Sequence, residues 1–452
     1  MHYHFIAIGG NVMHNLAIAL QRKGDVVTGS DDEIFEPSRS RLASFGLLPD
    51  LDGWDPERIH GGIDAVILGM HARADNPELI RAREMNRTVY SFPEFLYAHA
   101  RDKKRVVIGG SHGKTTITAM VLHVLHSCGI RCDYMIGAPV RGLEDTVRLS
   151  SDSRLMVFEG DEYLTSALDR RPKFHVYQPD IALISGIAWD HINVFPTFEG
   201  YLEQFRIFAG LVPPAGTLIY NADDASVQDV ILSSRKGIKL IPYQMPAFRI
   251  NDGMTSLIYG NEPVPLKIFG RHNLINLEGA RMVCWELGVE DGDFYKAIRT
   301  FEGAAKRLEL LAANEQTAVF ADFAHAPSKL KATVEAVKEQ FPGRRLVACI
   351  ELHTFSSLSG NFLSYYADTM AKADQPMVYY NPHAIQLKRL PDILPEQVRE
   401  AFNHADLKVY TDAERLLNDL LEFNWNNTNL LMMSSGDFGG MDVPTLAKKI
   451  TK

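Results

Sequence analysis

Cysteine is scarce in this sequence: Cys128, Cys132, Cys284 and Cys349 are the only four among 452 residues. They are too few for a disulfide framework and lack the paired spacing of a zinc site, so buried, chemically idle thiols in a reducing cytoplasm are expected. No apolar run approaches the ~18 uninterrupted residues of a membrane span. The opening MHYHFIAIGGNV has no basic leader ahead of a small-residue cleavage site, so no signal peptide is expected. Basic residues are in the minority, 47 Lys+Arg against 56 Asp+Glu for a net charge of −9, and no long basic run occurs, which argues against nucleic acid as a partner. Internal repeats and low-complexity tracts are missing too, which removes solenoids and biased tails. What is left, 46% hydrophobic and 23% charged, is a globular composition. The chain is too long for one core and calls for two to four domains of ~100–200 residues.

Three sections follow along the chain. The first, residues 1–102, opens HFIAIGGNVMHNLAIALQRKGDVVTGSD. A strand is expected from His4 to Ile8, and Met13, Leu16, Ala17 and Leu20 then fall on one helix face. Gly24 stands where a helix-ending glycine belongs, Asp25 to Thr28 begins a second strand, and Ser30-Asp31 closes it. This βαβ opening, with an acid about 20 positions past the glycines, has the spacing of a dinucleotide fold but an incomplete glycine pattern. Further strands are expected at 65–68 and 88–90, and the polar stretch 100–104 is a linker. In the second section, 103–304, strands are expected at 155–158, 181–185 and 217–220, with a small antiparallel excursion between Tyr243 and Phe269. In the third, 305–452, strands are expected at 317–321, 346–351, 377–380, 407–410 and 430–434, with helical patterns such as Leu330, Val334 and Val337 between them. Strand alternating with helix predicts an α/β protein with mostly parallel sheets, and ligands at the edge where the strands end.

The chemistry begins with VVIGGSHGKTTITAM, residues 106–120. A strand, a glycine-rich turn with a lysine, and a helix make a phosphate loop of a shortened kind: the position six before Lys114 is Ile108, not glycine. Gly109, Gly110 and Gly113 let backbone N–H groups converge, Lys114 supplies charge, and Thr115 offers a hydroxyl to Mg²⁺. Such a loop fits motors, switches, kinases and ligases alike. LMVFEGDEY puts Glu159, Asp161 and Glu162 at a strand end, and Glu159, first past the strand, is the expected ligand of a hard cation. ISGIAWDHINVF ends another strand in Asp190-His191; imidazole is an uncommon Mg²⁺ ligand, so Mn²⁺ is an alternative metal. A nicotinamide dehydrogenase would leave this second loop unexplained, and a guanine-reading N-K-x-D is missing. Taken singly, GRHNLINLEGA also reads as a capped helix start and KRLELL as a charged helix face.

In order, GSHGKTT (110–116), EGDE (159–162), DH (190–191), GRHNLINLEGA (270–280), KRLE (306–309) and DFAHAP (322–327) resemble the Mur ligases, ATP-dependent amide-bond enzymes of peptidoglycan assembly. The resemblance spans all three sections. It implies a UDP-binding Rossmann-like domain over 1–102, a P-loop ATPase domain over 103–304, and a Rossmann-like domain over 305–452 that closes over ATP and binds the peptide. It further implies that Gly110, Ser111, His112, Gly113, Lys114, Thr115 and Thr116 hold the phosphates, and that Thr115, Glu159 and His191 hold Mg²⁺. His272, Asn273 and Asn276 match the adenine side, Arg307 an arginine that reaches the γ-phosphate, and Asp322 with His325 the ribose side. Gly9, Gly10, Asn11, Ser30 and Asp31 would bind the UDP-sugar. Lys114, Glu159, His191 and Arg307 are then the catalytic set.

The implied reaction makes an acyl phosphate on UDP-N-acetylmuramate, and an amine displaces the phosphate. No lysine lies between Lys173 and Lys236, where several family members carry a carbamylated one. This absence resembles the alanine-adding branch and its relatives; within that branch, EGDEYLTSALDRRPKF resembles the enzymes that join recovered L-Ala-γ-D-Glu-meso-diaminopimelate to UDP-N-acetylmuramate, with the alanine-adding enzymes as the alternative. A non-catalytic UDP-sugar/ATP-binding protein is the reading from another class, but it would be expected to have lost Lys114, Glu159 or Arg307. A cytoplasmic monomer or weak homodimer, without membrane or nucleic acid, completes the expectation. The loops 351–362 and 379–390, with His353, Ser356, Ser357, Asn381 and His383, are expected near the incoming peptide. Four positions depart from the family pattern: Ala7 for a glycine, His14 at the last glycine of G-x-G-x-x-G, Gly160 for an alanine and Ala326 for a second histidine.

Overall fold

The computed structural model describes residues 1–70, 72–140, 142–143, 145–189, 194–232, 236–260 and 262–452, and these form four sheets. Strands β1 (His2–Ile6), β2 (Val26–Ser30), β3 (Ala65–Leu68) and β4 (Thr88–Ser91) lie in the order β2-β1-β3-β4, all parallel. The inner strand β3 is Ala-Val-Ile-Leu and buried throughout, as a strand covered on both faces requires. The second sheet holds β5 (Lys104–Gly109), β6 (Asp133–Met135), β7 (Val147–Arg148), β8 (Leu155–Glu159), β9 (Ile181–Ile184), β10 (Thr217–Asn221) and β11 (Lys239–Tyr243). Its order is β11-β10-β9-β5-β8-β6-β7, parallel except for the edge pair β6–β7. Ile108 pairs with Glu159 and Gly109 with Ile184, so β8, β5 and β9 end level with one another. Their following loops therefore meet at one edge, where an open parallel sheet binds ligands.

Strands β12 (Phe248–Asn251), β13 (Met254–Tyr259) and β14 (Glu262–Pro265) form the antiparallel excursion. The last sheet holds β15 (Glu309–Ala313), β16 (Ala318–Asp322), β17 (Arg345–Leu352), β18 (Gln375–Tyr380), β19 (Lys408–Tyr410) and β20 (Thr428–Met433). Its order is β15-β16-β20-β17-β18-β19, parallel but for β15 against β16. Leu330, Val334 and Val337 of the helix Pro327–Gln340 cover one face, and Leu416, Leu420 and Leu446 cover the other. The chain divides into two compact units: 1–187 with 197–243 and 279–294, and 188–196 with 244–278 and 295–452. Among the described residues no helix is long and apolar enough to cross a membrane.

Several expectations change. The first strand ends at Ile6, not Ile8, because Ala7 turns at φ 68° and the N–H groups of Ala7 and Ile8 both donate to Ser30 O. The helix-face reading that KRLELL allows when taken singly, already set aside by the order of the motifs, does not hold: Lys306 and Leu308 both have left-handed φ, and β15 follows as an antiparallel edge strand. Cys128 is exposed, contrary to the expected burial, because it ends the helix Lys114–Ser127 just before Gly129 turns the chain at φ 70°. Cys132, Cys284 and Cys349 are buried, and burial pushes their thiols up, Cys132 to about 12.

Candidate active site

Strand β5 delivers the chain into residues 110–113, and the helix Lys114–Ser127 leaves them. Gly110 has φ 138°, and a Cβ there would sit 2.0 Å from Ser185 Oγ. Gly113 precedes the helix at φ 83°. The N–H of Ser111 donates to Gly186 O at 3.0 Å, its hydroxyl lies 2.9 Å from His112 Nδ1, and Ser185 Oγ donates to His112 O. The loop is thus held by the end of β9, in a shape only glycine permits at residue 110.

Two carboxylates arm it. Thr115 Oγ1 donates to Glu159 Oε1 at 2.7 Å, and the Gly137 N–H donates to Glu159 Oε2 at 2.7 Å. Lys114 Nζ donates to Gly110 O at 2.7 Å and to Glu162 Oε2 at 2.5 Å, while Tyr201 OH donates to Glu162 Oε1 at 3.2 Å. Lys173 Nζ lies 2.6 Å from Asp161 Oδ2. Burial works against the charge of Lys114, but Glu162, Asp161 and Glu159 outweigh it and raise its pKa. Burial likewise opposes ionised Asp161, and Lys173 and Lys114 bring it below the usual carboxylate value. Thr116 is buried beside them. Glu159 is the last residue of β8, not the first beyond it. The sequence reading missed Glu162 as the partner of Lys114, although it stands in the same EGDE cluster. Asp190 and His191 lie outside the described residues. Among the described residues, no group of three or more His, Cys, Asp or Glu is placed to hold a metal.

At the first loop, the Gly9 N–H donates to Asp31 Oδ2 at 2.7 Å. Burial, then the neighbouring Asp32, push the Asp31 carboxyl up to about 6 against the pull of that N–H. Ala7 holds a glycine-like φ of 68°, and the chain opposite is Gly69, whose added Cβ would stand 2.8 Å from the Ala7 Cβ, so glycine there leaves room for the Ala7 methyl. Gly10 and Asn11 open the helix Asn11–Arg22. Ser30 points elsewhere: its hydroxyl donates to the fully buried Glu78, which His4 Nε2 meets at 3.2 Å.

In the second unit, Gly270 (φ 90°) precedes the helix Arg271–Glu286, and a Cβ on it would come 2.6 Å from Ala336 Cβ. His272, Asn273 and Asn276 sit in the first turns; both asparagines are buried, and Asn273 Nδ2 donates to Phe269 O at 2.9 Å. Asp322 ends β16 and accepts N–H bonds from Leu308 and Ala324, both at 2.6 Å. That carboxylate ties down the turn bearing Arg307, whose guanidinium lies 4.5 Å from the Phe323 ring centroid. Burial pushes Asp322 up to about 6, with Arg307 and the two N–H groups opposing. His325 Nδ1 lies 2.8 Å from Phe323 O. At the neighbouring edge, Glu351 is buried and accepts from the Phe438 N–H at 2.9 Å, with His353 Nδ1 3.7 Å from its other oxygen. Ser357 is buried against Thr354, Asn381 caps the helix Pro382–Leu387, His383 is exposed and Ser356 is half-buried.

The chain matches the Mur ligase family catalytic domain over residues 2–104, the Mur ligase middle domain over 108–284 and the Mur ligase glutamate ligase domain over 306–436. It is 28% identical to the UDP-N-acetylmuramate–L-alanyl-γ-D-glutamyl-meso-2,6-diaminoheptandioate ligase of Haemophilus influenzae, over 99% of each chain. It is 31% identical to the UDP-N-acetylmuramate–L-alanine ligase of Caldicellulosiruptor bescii, over 83% of each. A murein peptide ligase structure from Psychrobacter arcticus shares the fold, with TM-score 0.67 at 23% identity, covering 100% of this chain and 99% of that one.

Proposed function

This chain belongs to the Mur ligase family, whose members are ADP-forming ligases that use ATP and Mg²⁺, and from that premise we propose that it joins L-Ala-γ-D-Glu-meso-diaminopimelate to UDP-N-acetylmuramate. The observation that carries a ligase reading is the paired arrangement at the ends of β5 and β8: Lys114 with Glu162, Thr115 with Glu159. The turn at Gly110, closed to any Cβ, suits a loop that wraps phosphate, and a hydroxyl beside a carboxylate is an oxygen donor set suited to Mg²⁺. Bound there through Thr115 and Glu159, Mg²⁺ would neutralise charge on the phosphates. Lys114, kept charged by its acidic neighbours, exchanges Glu162 for the β/γ-phosphate oxygens and so favours phosphoryl transfer to the muramyl carboxylate. The amine of the second substrate then attacks the acyl phosphate and expels phosphate. Arg307, Asp322 and His325, with His272, Asn273 and Asn276, are the proposed nucleotide contacts of the second unit; Gly9, Gly10, Asn11 and Asp31 those of the UDP-sugar.

The tripeptide is favoured by the match over 99% of both chains and by the segment EGDEYLTSALDRRPKF. L-Alanine as the amine is the second reading, favoured by the higher identity of the alanine ligase over a shorter span. The test incubates the protein with ATP, Mg²⁺ and UDP-N-acetylmuramate, adds tripeptide or L-Ala separately, and measures phosphate release and product mass. Turnover with tripeptide and little with L-Ala is the expected result. The reverse assigns the alanine-adding reaction, and turnover with neither sinks both.

A further inference from the structure

The family's glycine loop lacks its last glycine here, and the structure shows what His14 does in that place. His14 is fully buried on the helix Asn11–Arg22, with Nδ1 3.0 Å from Gly10 O and 3.0 Å from Ser38 Oγ. Asn15 Oδ1 accepts from Arg41 Nη2 at 3.0 Å, so the amide orientation is set and Nδ2 is the donor. That Nδ2 meets Asn11 O at 2.7 Å and His14 Nε2 at 3.0 Å. An Nε2 that accepts leaves the proton on Nδ1, which donates to Gly10 O. Burial, reinforced by Arg41, lowers the His14 pKa and keeps the ring in this neutral form, although the Gly10 carbonyl pulls the other way. Arg41 in turn is gripped by Asp145, as is Arg22, and the Asp145 side chain is 6% exposed. Asp145 stands just before β7, a strand of the second sheet that packs beside the helix Asn11–Arg22. A chain of contacts thus runs from the second sheet, through Arg41, Asn15 and His14, to the carbonyl of a loop in the first sheet's layer.

We propose that Asp145, Arg41, Asn15 and His14 are positioning residues: a relay through which the central section sets the shape of loop 7–11, and with it the affinity for the sugar nucleotide. The first part stands on the contacts alone; the second rests on the reading of that loop as the UDP-sugar site. Without the His14 ring, the Gly10 carbonyl keeps only the backbone N–H of residue 14, at 3.0 Å, and loses the second donor that fixes its direction. Without the Asp145 carboxylate, Arg41 no longer fixes the Asn15 amide.

Two measurements test it on the full chain. Hydrogen exchange without ligand is followed at the amides of residues 8–11 in H14L, H14N and D145L. Loss of one buried hydrogen bond predicts about tenfold faster exchange in H14L and D145L, and H14N, whose amide can still donate to Gly10 O, stays near wild type. Steady-state assays then predict a KM for UDP-N-acetylmuramate raised about tenfold in H14L and D145L, with kcat and the KM for ATP within about twofold of wild type. Unchanged loop exchange overturns the relay. Changed exchange with kcat and both KM values altered together reduces it to a general structural role. A wild-type protein that ignores UDP-N-acetylmuramate defeats the functional reading alone, since exchange still decides whether the relay sets the loop.

Discussion

Gly110 concentrates the constraints of the phosphate loop into one residue. With φ 138° and Ser185 Oγ 2.0 Å from its missing Cβ, G110A must move the loop off the end of β9. The strain is of order 1–3 kcal/mol, and ATP affinity measured by calorimetry is expected to fall at least tenfold. The Lys114–Glu162 pair makes a second prediction. Breaking a buried ion pair is costly, so E162Q is expected to lower the unfolding free energy by about 3 kcal/mol, although Asp161 and Glu159 still face Lys114. K114M in the E162Q background should recover most of that, because neither charge remains; denaturant melts of the four proteins form the cycle. At this scale the sequence was legible where the chemistry is local. Lys114, Thr115 and the turn glycines lie within seven residues, whose spacing alone sets their geometry. Glu162 is 48 positions from Lys114 and only the alignment of β5 with β8 brings it there. His14 read as a missing glycine, because Ser38, and the Arg41 and Asp145 that reach it through Asn15, are brought near only by tertiary packing.

Elements were legible in kind and less so at their ends. Inner strands such as β3 and β8 are nearly continuous apolar runs that only a doubly covered strand explains. Ends depend on backbone turns that composition does not mark, as at Ala7. The turn before β15 is the clearest case, with Lys306 at φ 54° and Leu308 at φ 47° on either side of Arg307. Asp322 holds this shape through the Leu308 N–H. A β-branched residue tolerates left-handed φ poorly, so K306V is expected to cost about 1–2 kcal/mol of stability and to depress ADP formation by misdirecting Arg307, whereas K306G keeps activity. Thermal melts beside ADP assays separate the two effects. The same turn carries a pH signature. Asp322 titrates at about 6 in the folded chain against 3.8 as its ordinary value. The folded state therefore holds that proton more tightly, and the stability it adds is full below about pH 4 and lost as pH rises through about 6. D322N should remove this slope from the unfolding free energy between those limits.

At the scale of the whole molecule, the division into two units predicts how the chain unfolds. One unit carries the apolar cluster of Ile6, Ile59, Val66, Leu68 and Leu79, against which Trp54 packs. The other carries clusters on both faces of the β15–β20 sheet, and Trp425 packs against the one built on Leu416, Leu420 and Leu430. Each core excludes water by itself, so two cooperative transitions are expected in place of one. Trp189 and Trp285 are the remaining indoles. Replacing three of the four with Phe gives two single-tryptophan proteins, reporting at Trp54 and at Trp425, whose urea midpoints should differ. The proposed sugar-nucleotide loop belongs to the Trp54 unit, through Gly9, Gly10 and Asn11. A ligand that binds only a folded unit stabilises it by RT ln(1 + [L]/Kd), about 2.7 kcal/mol at a hundredfold excess over Kd. UDP-N-acetylmuramate at that excess should therefore raise the Trp54 midpoint and leave the Trp425 midpoint in place. Coincident midpoints that rise together would mean that the two cores fold as one, and a shift at Trp425 alone would move the sugar nucleotide to the other unit.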